Sequence, residues 1–270
     1  MQVQNKTIVV TGGGNGIGRE LVLVLLAKDA RVAAVDIDEA GLDQVRELAG
    51  EHTGRLSTHR LDITDREAVA ALPEEVIQIH GAVDGLINGA GIIQPFVRVG
   101  ELDYGAIERV MNVNFYGTLY MTKAFLPHLL ERPEAHIVNI SSMGGFLPVP
   151  GQTIYGASKA AVKLFTEGLR SELLNTTVRV TGVYPGAIGT NIAANSGVGL
   201  NANLAQANGR SPIKPMDPRK AAEIIVKGME EDRDRVLVGS DARLMDLIYR
   251  LSPRRAAEFI FSQMKSLLPN

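Results

Sequence analysis

Tyr155 and Lys159, in the stretch YGASK, stand four residues apart with only Gly, Ala and Ser between them. On a helix this spacing stacks the phenol and the ammonium on one face. A free phenol has a pKa of about 10 and is a poor base near neutrality. A neighbouring ammonium favours the phenolate, and a fall to about 7 corresponds to roughly 4 kcal/mol of preferential stabilisation. That much is reached only in a partly dehydrated cleft. The pair therefore suits proton exchange with a substrate oxygen, provided the fold sets it at such a cleft.

The elements around it are those of an α/β protein. Strands are expected at 7–11, 31–36, 55–62, 83–88, 136–141, 178–185 and 235–239. Helices are expected near 16–28, 39–49, 65–79, 103–130, 155–174 and 218–230. This alternation implies right-handed βαβ units. The strands read as nearly continuous apolar runs, as parallel strands buried on both faces do. The expected fold is a single doubly wound Rossmann-type domain over residues 1–270, with helices on both faces of a parallel sheet. Residues 189–216 are rich in Gly, Asn and Ala and weakly periodic, as expected of a lid or binding loop. Residues 241–270 form a C-terminal helical extension broken at Pro253.

Composition excludes several classes. A net charge of -2 leaves no footprint for nucleic acid, and the absence of cysteine rules out disulfides and thiolate chemistry. The histidines at 52, 59, 80, 128 and 136 lack metal-ligand spacing, so no metal is expected. No stretch near the N-terminus is apolar for long enough to span a bilayer, and the expected location is cytoplasmic.

The first strand runs into TGGGNGIG, residues 11–18, and then into a helix. Gly12, Gly16 and Gly18 suit a sharp exit from the strand, close backbone approach to a pyrophosphate, and tight helix–sheet packing. Asp36 closes the second strand, where a carboxylate can accept both adenosine ribose hydroxyls and repel a 2′-phosphate. With Ile37 and Asp38 beside it and no arginine following, the pattern favours NAD over NADP. There is no G-x-x-x-x-G-K-[ST] phosphate loop and no G-x-S-x-G elbow, which excludes two other nucleotide and hydrolase architectures.

Taken in order, the Gly turn, Asp36, NGAG (88–91), Asn114, NISS (139–142), YGASK and Pro185-Gly186 resemble the short-chain dehydrogenase/reductase family over residues 5 to about 190. The resemblance implies that Asn15 and Ile17 lie near the diphosphate and ribose and that Asp62 and Ile63 flank the adenine. It further implies that Asn88, Ala90 and Gly91 run along the cofactor, and that Pro185, Gly186, Ile188 and Thr190 hold the nicotinamide carboxamide. The implied catalytic set is Asn114, Ser142, Tyr155 and Lys159. Ser142 is preferred over Ser141 because the family's serine commonly stands 13 positions before the tyrosine. Lys159 would also grip the nicotinamide ribose, and Asn114 would distort its helix and hold a water.

The expected reaction is interconversion of a secondary alcohol and a ketone. Gln94, Met143, Phe146 and Gln152, with Ser142 and Tyr155, form an expected substrate rim. It is mostly apolar, which suits an uncharged steroid-like, lipid-derived or aromatic substrate. The alternatives are a non-catalytic dinucleotide sensor or scaffold and an NADP-dependent carbonyl reductase; an enoyl reductase would space its tyrosine and lysine more widely. Helices 103–130 and 155–174 are expected to pair two chains into a homodimer or homotetramer. The C-terminal helices are expected to pack on the core or on a partner subunit, with membrane-surface association as the lesser alternative.

Overall fold

The computed structural model describes residues 1–198 and 215–264. Seven parallel strands form one sheet in the order β3-β2-β1-β4-β5-β6-β7. They are β1 (Thr7–Thr11), β2 (Arg31–Asp36), β3 (Leu56–Arg60), β4 (Gly85–Asn88), β5 (Ala135–Ile140), β6 (Val178–Pro185) and β7 (Arg235–Val238). Alternation along the strands divides the core. Ile8, Val10, Val32 and Ala34 pack under α1 (Gly16–Ala27), α2 (Glu39–Ala49) and α8 (Pro218–Glu230). Val9, Ala33, Val35 and Ile137 point the other way, under α3 (Arg66–His80), α5 (Thr118–Leu130) and α6 (Thr153–Glu172). Both faces are thus covered, as the apolar runs require.

Strand order reverses at β1, which pairs with β2 on one side and β4 on the other. Loops leaving the carboxyl ends of these strands diverge there and open a crevice. The expected helix over 103–130 is interrupted. α4 (Tyr104–Met111) passes into a π-helical turn, Asn112–Gly117, before α5 begins. Such turns persist where side-chain bonds replace the displaced backbone ladder. Here Asn114 bonds to the Ile92 backbone through both side-chain atoms, and Thr118 Oγ1 donates to the Asn114 carbonyl at 2.9 Å.

Of the 189–216 segment, residues 199–214 lie outside the described residues; the remainder includes α7 (Ile192–Asn195). The extension folds as α9 (Ser240–Leu251) and α10 (Pro253–Met264), divided at Pro253 as expected. Its apolar side packs on Leu147 and Phe146.

Candidate active site

A cleft of about 760 Å³ lies at the carboxyl ends of β1, β2 and β4. Its floor is the glycine turn. Gly12 holds φ at +71°, and a Cβ there would sit 2.9 Å from the Ala90 backbone. A Cβ at Gly18 would overlap the Gly12 carbonyl oxygen, so α1 approaches β1 only because that position is glycine. The N-termini of α3, α4 and α8 are capped by Asp65, Asp103 and Asp217, whose carboxylates accept first-turn amides. α1 has no such cap, because Asn15 Nδ2 donates instead to Asp38 Oδ2 at 2.7 Å. Its first-turn amides and the positive end of its dipole are left for an anion, which fits a diphosphate.

At the other end of the cleft Asp36 Oδ2 accepts from Gly14 N at 2.9 Å and Oδ1 from Asp38 N at 3.0 Å. Each oxygen keeps a second lone pair for a ribose hydroxyl. Ile37, Asp38, Asp62 and Ile63 line the wall beside it. Asp62 Oδ1 accepts the Thr64 amide and hydroxyl, which fixes this loop. Arg60 stands in register with Asp36 but turns to Glu39 at 3.6 Å, outside the lining.

The opposite wall is Gly89, Ala90 and Gly91. Thr11 Oγ1 accepts the Gly89 and Ala90 amides at 3.0 and 3.2 Å; sequence reasoning missed this residue, although a hydroxyl closing a strand before a glycine turn is a readable signal. Asn88 lies beneath the wall rather than on it. Its Nδ2 donates to Thr122 Oγ1 and Asn139 Oδ1, tying β4 to α5 and β5. A Cβ at Gly91 would lie 3.0 Å from Lys159 Nζ and 3.3 Å from Asn114 Oδ1, so both groups stand directly behind the cleft wall.

Lys159 is 5 % exposed and Nζ donates to the Ile140 carbonyl at 3.0 Å. Asn114 Oδ1 accepts Ile92 N at 2.8 Å, while its Nδ2 donates to Ile92 O and to Ser158 Oγ. The two serines diverge. Ser141 Oγ donates to the Lys159 carbonyl at 2.6 Å, which consumes it in helix packing. Ser142 Oγ accepts Gly144 N at 3.0 Å and stands on the Tyr155 side of that turn, where a Cβ at Gly144 would lie 3.4 Å from both Ser142 Oγ and Tyr155 Cε1.

Burial pushes the Tyr155 hydroxyl above its ordinary value, with the Ser142 hydrogen bond pulling weakly the other way. The lowering expected from Lys159 is therefore corrected: among the protein's own groups, desolvation of the phenolate wins. Desolvation also lowers Lys159 to about 8, so its charge is itself only partly secure near neutrality.

Gln94 is a second correction: expected on the substrate rim, it is 0 % exposed and lines neither pocket, whereas Gln152, 3 % exposed, lines a groove beside α6. Gln94 Oε1 accepts the Ile154 and Tyr155 amides at 2.7 and 3.0 Å, capping α6 from a distant loop. Its Nε2 donates to Gly151 O, and Gln152 Nε2 returns a bond to Gln94 O. Gln94 thus sets where Tyr155 begins its helix. Gln94→Leu is expected to cost about 2 kcal/mol in thermal or denaturant unfolding, the upper range for a lost cap. Gln94→Glu, which keeps the acceptor oxygens, should lose less.

Met143 and Phe146 are half-buried; neither lines the cleft, and Phe146 stacks loosely on Tyr184 and Tyr249. Of the stretch expected to hold the carboxamide, Thr190 lines the cleft against Gly16, whereas Pro185, Gly186 and Ile188 do not line it. They shape the turn. Gly186 N donates to Val238 O, Ile188 bridges Met216, and Ala187 N donates to Asp241 Oδ2 at 2.7 Å. Ser196 ties α7 across the cleft mouth, its Oγ accepting Ile93 N and its carbonyl accepting Arg109. Asp241, Ser196 and Arg109 are far in sequence from what they hold, and no local spacing marks them.

Residues 6–200 match the short chain dehydrogenase family. SadH of Mycobacterium tuberculosis, named as an oxidoreductase, is 40% identical over 253 residues, covering 92% of this chain and 91% of its own. A short-chain dehydrogenase/reductase from Burkholderia phymatum, solved with NAD, superposes with a TM-score of 0.83 at 25% identity, over 93% of this chain and 96% of that one. A short-chain dehydrogenase from Burkholderia cenocepacia, solved with NADP, gives 0.80 at 29% identity, over 96% and 99%. Fold, sequence and cleft converge, and the chain belongs to the short-chain dehydrogenase/reductase family of oxidoreductases.

Proposed function

We propose that the protein is an NAD(H)-dependent oxidoreductase that interconverts an uncharged, hydrophobic secondary alcohol and its ketone, with Asn114, Ser142, Tyr155 and Lys159 as its catalytic set. The observation that carries this reading is the placing of Ser142 and Tyr155 about Gly144, where a Cβ would lie 3.4 Å from both Ser142 Oγ and Tyr155 Cε1, beside a nucleotide cleft whose wall at Gly91 is backed by Lys159 Nζ and Asn114 Oδ1. A bound dinucleotide supplies the hydride donor or acceptor and, when oxidised, a positive ring. The protein handles the proton. In reduction the Tyr155 hydroxyl gives its proton to the carbonyl oxygen as the carbon gains hydride, and Ser142 donates to the oxygen as its charge grows. In oxidation the Tyr155 phenolate takes the proton back. Lys159, near its own pKa, can return a proton to Tyr155 between turnovers.

Asp36 and Asp38 support NAD over NADP, because a 2′-phosphate beside two carboxylates would be repelled. The solved relatives carry one cofactor each and do not choose. Steady-state oxidation of secondary alcohols should show kcat/KM about 100-fold higher with NAD than with NADP, a gap of about 3 kcal/mol. Asp36→Ala should narrow it at least tenfold. A wild-type preference for NADP would overturn the assignment, and absence of turnover on every secondary alcohol would overturn the reaction. Exposed Tyr116 on the π turn and Leu164 on α6 support pairing of two chains through these helices. Among the described residues no helix is long and apolar enough to cross a membrane.

A further inference from the structure

A second groove, about 670 Å³, shares no lining residue with the nucleotide cleft among the described residues. One wall is the 144–153 turn with Gly156 and Ala160 of α6. The other is Tyr249 of α9 with Pro253, Ala257 and Phe261 of α10. The last three recur every four residues, so one face of α10 lines the groove. Small side chains on both sides keep it open. Among the described residues no charged side chain lines it, which suits apolar contents.

One detail fixes its orientation. At its inner end is Gly144, where a Cβ would lie 3.4 Å from both Ser142 Oγ and Tyr155 Cε1. The groove therefore ends one side-chain width from the proposed catalytic pair.

We propose that this groove receives the alkyl tail of the substrate, with α10 as the wall that sets how long a tail is accepted. This rests on the reaction proposed above. The occupant is a lipid-derived secondary alcohol or ketone whose reacting carbon lies at Ser142 and Tyr155 and whose chain runs between the 144–153 turn and α10.

The test is a homologous series of 2-alkanols from 2-butanol to 2-tetradecanol, with NAD as acceptor. Wild-type KM should fall roughly threefold per added methylene until the groove is full. Ala257→Phe, at a half-buried groove position, should raise KM little for 2-butanol and about 30-fold or more for 2-tetradecanol, some three methylenes' worth of contact. Phe261→Ala should move the optimum to longer chains. A chain-length dependence that is absent in wild type, or identical in wild type and Ala257→Phe, overturns the groove and leaves the reaction standing. If no alcohol turns over, the reaction falls and binding decides: 2-tetradecanone should displace Nile red from wild type but not from Ala257→Phe. Equal displacement, or none from either, overturns the groove.

Discussion

Tyr155→Phe is expected to lower kcat for alcohol oxidation about 10³-fold, within the range that a positioned general acid–base supplies. The substitution keeps the ring beside Gly144 and removes only the hydroxyl. Dinucleotide affinity, measured by NADH fluorescence, should therefore change less than threefold, which is under about 1 kcal/mol. The pH profile of wild type follows from the direction of the shift. Burial holds the hydroxyl protonated, so an acid for reduction is ready across neutral pH. Oxidation needs the phenolate, and its rate should climb from neutral into alkaline pH. A variant that retained kcat within tenfold would remove Tyr155 from the proton transfer.

Lys159→Met is expected to stabilise the protein while lowering kcat about 10²-fold or more. The fall of the lysine from its ordinary 10.5 to about 8 is caused by desolvation and corresponds to about 3 kcal/mol against the charged form. Below pH 8 the folded protein carries that full cost. Between about 8 and 10.5 the unfolded chain holds a proton that the folded chain has released, so wild-type stability rises with pH through this window. Methionine fills similar space without charge and forfeits the bond to the Ile140 carbonyl, about 1 kcal/mol. The net gain at neutral pH is about 2 kcal/mol, several degrees in Tm for a chain of this size. The alkaline rise should vanish in the variant. Thermal scans at neutral and alkaline pH check both signs, and a Met variant that melts earlier than wild type at neutral pH would refute the argument.

The sheet and its crevice were legible because they rest on local chemistry. Apolar β-branched runs specify buried strands, and the turn at 11–18 admits only residues without side chains where α1 meets β1. Asp36 lies in the cleft lining where the end of the second strand led us to expect it, but its bonds to the Gly14 and Asp38 amides were not readable from spacing. What the sequence hid was burial and distance. Gln94 looks like any polar loop residue, yet it is enclosed and caps α6 from 60 residues away. The resemblance implied an interruption at Asn114, but the Ile92 backbone that holds it is something no helical periodicity reveals. The same blindness misjudged Tyr155. Four-residue spacing made Lys159 its dominant neighbour, whereas enclosure of the phenol sets the direction of its shift.

The central claim is that the Tyr155 oxygen is the atom that trades a proton with the substrate, made acidic enough by the positive ring of the oxidised dinucleotide. The most direct measurement is an ultraviolet difference titration of tyrosinate, from neutral to alkaline pH, on the NAD complexes of wild type and Tyr155→Phe. One tyrosine should ionise below the free-phenol value of about 10 in wild type, and that step should be missing from the variant. Superimposable curves would contradict the account.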